Sequence, residues 1–177
     1  TISASSNQLS TLADLSDLPN LESLGVGNHP LGSLAGLENA PRLSMLLAYK
    51  TGVSDLSPLA SSTELTRLSA DHNAISDLSP LRALSKLESL DLSTNQVGDL
   101  TPLSELRALT SLLLTHNQIS DLSPISRLAC TDDCCIVDVS ENPLDADSLT
   151  RHIPTLCDAN MMVSWTDGSC SPCPIHG

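Results

Sequence analysis

The sequence predicts an α/β solenoid, a stack of short parallel strands each followed by a helical turn, and three observations carry that prediction. Similar strings of residue types recur every 22 residues, most plainly from Leu65, Leu87 and Leu109. Within each copy, apolar residues fall at positions 1, 4, 6, 11, 14, 17 and 20, with Asn at position 9. Each copy also carries Asp, an apolar residue, Ser or Thr, and Pro in succession, as in Asp77-Leu78-Ser79-Pro80. A sustained period of this length is the signature of stacked supersecondary units.

This spacing is the leucine-rich repeat pattern. Positions 3 to 7 alternate apolar and polar, as a half-buried strand does, so Leu68 and Ala70 point inward and Arg67, Ser69 and Asp71 outward. Stacking such strands gives a parallel sheet. Asn73, Asn95 and Asn117 follow the strand, where the chain turns inward and its backbone groups lose their sheet partners; a buried amide satisfies them. Ser or Thr before Pro then reads as a helix N-cap followed by a first helical residue, giving a short helical or 3-10 turn on the convex side.

Residues 21–130 make five 22-residue repeats, the first two with substitutions: His29 and Thr51 stand where Asn is expected, and Gly36 takes a Pro place. Upstream, Leu9, Leu12, Leu15 and Leu18 match the second half of a unit, so residues 1–20 read as a partial repeat entered partway. Residues 131–177 form an irregular last repeat and a Cys-rich cap, displaced by an insertion at residues 130–133. There Ser148–Leu156 reads as a short helix, and Met161, Val163 and Trp165 as a final strand. Together they cover the apolar face that the last repeat leaves open.

At 177 residues the chain is one domain, since a stack adds core with every unit. About six strands at ~4.8 Å spacing give a ladder of roughly 25 to 30 Å, which suits a docked protein or peptide better than a deep small-molecule pocket. Eight Lys and Arg against 21 Asp and Glu leave a net charge of −13, which would repel a phosphate backbone and excludes nucleic acid as a partner. No apolar run approaches the ~20 residues that cross a bilayer, and no basic amphipathic helix appears, so no membrane insertion is expected. Nothing in the pattern calls for a cofactor, and oligomeric state is not readable.

All six cysteines, Cys130, Cys134, Cys135, Cys157, Cys170 and Cys173, lie in the cap segment. Cys130, Cys134, Cys170 and Cys173 have spacings that could hold a structural zinc. The favoured reading is disulfides, because an even count confined to an acidic capping segment suits an oxidising compartment, where bridges pin a frayable end. Two approaches are expected: Cys134 with Cys157 under the covering helix, and Cys170 and Cys173 folding back towards Cys130 or Cys135.

The turns of the "NQISDLSPL" type around Asn73, Asn95 and Asn117 closely resemble the internalin-like class of 22-residue bacterial leucine-rich repeats, over roughly residues 9–130. The run "ENPLDADSLTRHIPTL" (141–156) followed by "MMVSW" is similar to the closing unit of many such proteins. The resemblance implies a right-handed horseshoe, a non-enzymatic module that binds another macromolecule on its concave sheet, commonly outside the bacterial cell. Extracellular, cell-surface or periplasmic placement follows from it. The alternative expectation is a structural spacer within a larger cell-surface protein.

On the outward strand positions most side chains are small or polar. Met45, Leu47 and Tyr49 are not, and beside Lys50, Arg67, Asp71 and His72 they read as an apolar anchor with a charged rim, to which Asp91 and Leu113 add further contacts. The plain structural reading is that these side chains cover the glycine-rich strand of Gly25 and Gly27. His72 and His116 share a repeat position but one unit lies between them, which sets them roughly 10 Å apart, too far to share one zinc directly. Asp55, Asp77, Asp99 and Asp121 recur every repeat and could line up oxygens for calcium, but a turn Asp more simply accepts local backbone N–H bonds. Ser69, Asp71, His72, Asp91 and Ser93 are the residue types of a hydrolase, and His176 stands near Cys173. A flat exposed sheet, however, supplies no evident oxyanion donors and no water exclusion, so catalysis is not expected.

Overall fold

Register across the stack is set by one buried residue per turn of chain. The structure is a computed structural model that describes residues 1–3, 11–12, 19–128 and 135–170. Strands β1 (Ile2–Ser3), β2 (Ser23–Gly25), β3 (Met45–Leu47), β4 (Arg67–Ser69), β5 (Ser89–Asp91), β6 (Ser111–Leu113), β7 (Cys135–Asp138) and β8 (Met161–Trp165) follow chain order in one parallel sheet. Leu24, Leu46, Leu68, Leu90, Leu112 and Val137 are successive partners across β2 to β7, and all are buried. The period-two alternation therefore faces the way the sequence predicts. Ile2 sits opposite Leu24, so the first unit contributes a strand as well as the second half visible in its leucines. A last strand, β9 (Gly168–Cys170), pairs antiparallel with β8. Only Thr166 and Asp167 join the two, a connection that permits a hairpin and not a parallel crossover. Gly168 makes room there for the Trp165 ring, which a Cβ would displace.

The convex side carries 3-10 turns at Ser57–Leu59, Ser79–Leu81, Thr101–Leu103 and Ser123–Ile125, stacked on one another. The expected Ser or Thr N-cap is not what forms: Leu56, Leu78, Leu100 and Leu122 hold that position, and the hydroxyl residue opens the turn. Those leucines are buried and have no side-chain acceptor. The carboxylates of Asp55, Asp77, Asp99 and Asp121, one residue earlier, accept the Ser or Thr backbone N–H instead, at 2.7–2.8 Å. Hydroxyl donation from Ser57, Thr101 and Ser123, reinforced by the same backbone N–H groups, holds the Asp55, Asp99 and Asp121 carboxyls below the usual carboxylate range.

Between the two sides runs a ribbon of asparagines. Asn95 Oδ1 accepts the Ile75 N–H at 2.9 Å, while its Nδ2 donates to the carbonyls of Ala70 and Leu92, each at 3.0 Å. Asn117 repeats this pattern one unit on with Val97, Leu92 and Leu114. Asn73 and Asn142 flank the pair and make the equivalent bonds. Where Thr51 replaces Asn, its Oγ1 lies 2.9 Å from the Ala48 carbonyl and 3.0 Å from Asn73 Oδ1. One polar residue departs from this pattern: Ser62 is fully buried at a position where neighbouring units have Ala40 and Leu84, and its hydroxyl has no partner among the described residues.

Immediately before each Asn, and before His29 and Thr51 that stand in its place, the backbone enters the left-handed region, at Asn28, Lys50, His72, Thr94, His116 and Glu141, with φ between 53° and 62°. At this position the N–H still bonds a carbonyl of the neighbouring unit, as His72 does to Ser93 at 2.8 Å and Thr94 to Thr115 at 2.7 Å. The next residue must point inward, and a left-handed step makes that turn. Such a conformation costs a non-glycine residue on the order of 1 kcal/mol.

At the C-terminal end, a wide helical turn at Ser148–His152 runs into α1 (Ile153–Asp158), whose Ile153 and Leu156 are buried in the same core as Met161 and Val163. Ser148 ties this cap to the repeats: its hydroxyl donates to the Ser120 carbonyl and accepts the Leu122 N–H, both at 2.9 Å. The cysteine pairing differs from expectation. Cys157 on α1 bonds Cys170 on β9, Cα to Cα 6.1 Å, and so neither Cys134 with Cys157 nor Cys170 with Cys130 or Cys135 is formed. The hairpin, which the sequence pattern does not announce, brings Cys170 back across β8 to the helix. Cys135 is disulfide-bonded as well. With Cys170 oxidised, the four-thiolate zinc site is ruled out; Cys130, Cys134 and Cys173 lie outside the described residues.

Candidate functional site: the concave sheet face

Because the inward positions are filled by leucine, the opposite face of the sheet is built by the residues between them. One row runs from Ser23 through Met45, Arg67, Ser89 and Ser111 to Ile136 and Met162. A second runs from Gly25 through Leu47, Ser69, Asp91 and Leu113 to Asp138 and Ser164. Aligned strands make this one continuous platform.

Of the nine contact residues read from the sequence, Met45, Leu47 and Arg67 come together on β3 and β4, with Tyr49 just beyond the end of β3. Lys50 and His72 stand exposed at the edge, in the strained turn positions. Asp91 and Leu113 are direct partners on β5 and β6, at a remove from the first group. The apolar trio is less open than its composition suggests: Met45, Leu47 and Tyr49 are each half-buried. Tyr49 lies flat over Gly27, so closely that a Cβ there would overlap its ring. Covering the glycine strand is therefore part of what Tyr49 does.

The large apolar side chains that are open on this face stand at its other end. Ile136 is 43% exposed and its β8 partner Met162 is 37% exposed. Met162 is absent from the outward set read from the sequence, although the inward alternation of Met161 and Val163 carries the signal. Leu149, 43% exposed, belongs to the cap helix and not to the sheet.

Asp71 sits at the centre of the polar stretch, accepting from Ser69 Oγ at 3.0 Å and lying 2.9 Å from His72 Nδ1. The order of contacts matters chemically. Activating a serine needs the imidazole on its hydroxyl. Here Ser69 and His72 both engage the carboxylate, an arrangement that holds the edge in place and leaves no base on the serine. Among the described residues no three His, Cys, Asp or Glu side chains converge as metal ligands. His72 and His116 are both exposed, and the Asp row is occupied by its own turns. No helix among the described residues is long and apolar enough to cross a membrane.

An open parallel sheet, one strand per repeat, backed by 3-10 turns and threaded by asparagine amides defines a leucine-rich repeat protein. Residues 63–105 match two copies of the leucine-rich repeat family. Internalin C2 from Listeria monocytogenes is 32% identical, with a TM-score of 0.79 over 90% of this chain and 68% of that one. The chain belongs to the internalin-like leucine-rich repeat proteins. A second Listeria monocytogenes internalin, inlF, is similar at 27% identity and a TM-score of 0.75, covering 88% of this chain and 46% of that one. A leucine-rich repeat protein of Leptospira interrogans shares the fold at 20% identity and a TM-score of 0.70, over 90% of this chain and 47% of that one. No curated protein sequence matches the chain.

Proposed function

We propose that this chain is a non-enzymatic recognition module that docks a protein or peptide on the concave face of its sheet, outside a bacterial cell. The observation that carries this reading is the in-register outward platform, on which apolar side chains stand open to solvent while the core behind it is closed. Burial of such groups is what a partner gains from contact. Met45, Leu47, Tyr49 and Arg67 are the proposed anchors at the N-terminal half, with Lys50, Asp71 and His72 as rim and Asp91 and Leu113 towards the centre.

A photo-crosslinking side chain placed at Ser89, on the platform, is expected to capture a partner from an extracellular fraction; one at Arg82, on the convex side, is not. Leu47→Ala is expected to weaken that complex by more than about 1 kcal/mol, roughly fivefold in Kd. Adducts from Arg82 alone would reject the concave face. Binding that survives substitution on every strand would return the alternative, a spacer within a larger surface protein.

A further inference from the structure

Beyond β4 the character of the platform changes. The outward positions of β5 to β8 include Asp91 and Asp138 and contain no Lys or Arg. Asp91 and Asp138 flank Leu113 in one row, one strand to either side, so about 10 Å separates them. Each carboxylate is aimed by its own backbone: Asp91 Oδ1 accepts the Ser93 N–H and Asp138 Oδ1 the Ser140 N–H, both at 3.0 Å. Neither forms an ion pair among the described residues. Next to them stand Ile136 and Met162, the large apolar side chains most open on this face.

We infer that this half of the platform is the docking site for a basic and apolar segment of a partner protein, Lys or Arg flanking a Leu-, Ile-, Met- or Phe-type side chain, bound in extended form. The inference rests on the concave-face reading and specifies its occupant. Charge complementarity selects that occupant. A second copy of the chain would set Asp91 and Asp138 against like charge on a molecule that already carries −13, and an anionic lipid surface would be repelled in the same way. A basic segment loses repulsion instead. Its cations meet carboxylates already oriented by backbone N–H groups, and its apolar residue covers Ile136, Met162 and Leu113. An extended chain places same-side residues ~6.8 Å apart, and the length of a Lys or Arg side chain spans the remaining distance to each carboxylate.

The test is to pan a random peptide library on the immobilised full chain and measure Kd for the enriched peptides. Enriched sequences are expected to carry Lys or Arg on both sides of an apolar residue. Met162→Ser and Ile136→Ser, both at exposed positions, are each expected to weaken binding about tenfold, as is Asp91→Asn combined with Asp138→Asn. The double amide variant should also flatten the salt dependence of Kd. A control with the same charge change off the face, Glu105→Gln with Asp147→Asn, should leave Kd unchanged and so separate a site from general attraction to an acidic chain. Enrichment of acidic or uncharged peptides, or of none, overturns the inference, as does a double amide variant that binds as the parent does. If binding falls with Leu47→Ala or Arg67→Ala but not with these variants, the concave face stands and this occupant fails. If no platform variant matters, both readings fail.

Discussion

Asn95 shows how much of the fold rests on single side chains. Its amide satisfies Ile75 N–H and the carbonyls of Ala70 and Leu92, three backbone groups in an apolar interior. Each buried group left unpaired costs on the order of 1–3 kcal/mol, so Asn95→Ala is expected to destabilise the domain by about 3 kcal/mol or more, measured by urea denaturation. A loss under about 1 kcal/mol would mean that water replaces the amide. The Asn at position 9 is legible in the sequence because its chemistry is the same in every copy. The left-handed residue before it is not. Lys50, Thr94 and Glu141 have nothing in common as side chains, and what they share is a backbone requirement met against intrinsic preference.

Among the elements, the Asp-capped 3-10 turns make stability depend on acid. The Asp55, Asp99 and Asp121 carboxyls titrate below their ordinary range in the folded chain, chiefly through hydroxyl donation from Ser57, Thr101 and Ser123. A depressed folded value stabilises wherever the carboxylate is charged and loses that contribution as pH falls through it. The melting temperature should therefore hold steady from neutral pH down to about pH 5 and drop below about pH 4. Asp121→Asn should make that acid drop shallower, as followed by circular dichroism. The turns themselves are plain in the Asp-Leu-Ser-Pro spacing, but which residue caps them is not. Ser before Pro reads equally well as the cap or as the opening residue, and only burial of the intervening leucine assigns the role to Asp.

For the whole molecule, a solenoid is stabilised by contacts between neighbouring units, so its ends open first. The Cys157–Cys170 bridge ties the cap helix to the terminal hairpin across 13 residues. Closing a loop of that size contributes about 3 kcal/mol in the chain-entropy account. Cys157→Ser with Cys170→Ser is expected to lower hydrogen-exchange protection in α1, β8 and β9 while β4 and β5 keep theirs. Uniform loss along the stack would instead show that the repeats unfold as one block.

The chain by itself determined the period, the register and the inward residues, because a 22-residue repeat with alternating strands leaves one way to bury Leu68, Leu90 and Leu112 together. It also determined that the outward platform is mostly small or polar, on a chain of net charge −13. Tertiary structure alone decided how open each outward side chain is, since that depends on the neighbour one unit away. Tyr49 lies down because the unit before it offers Gly27, whereas Ile136 and Met162, partners across β7 and β8, remain open. The cysteine pairing was decided the same way: proximity through a hairpin, which no spacing in the sequence encodes, brings Cys170 to Cys157.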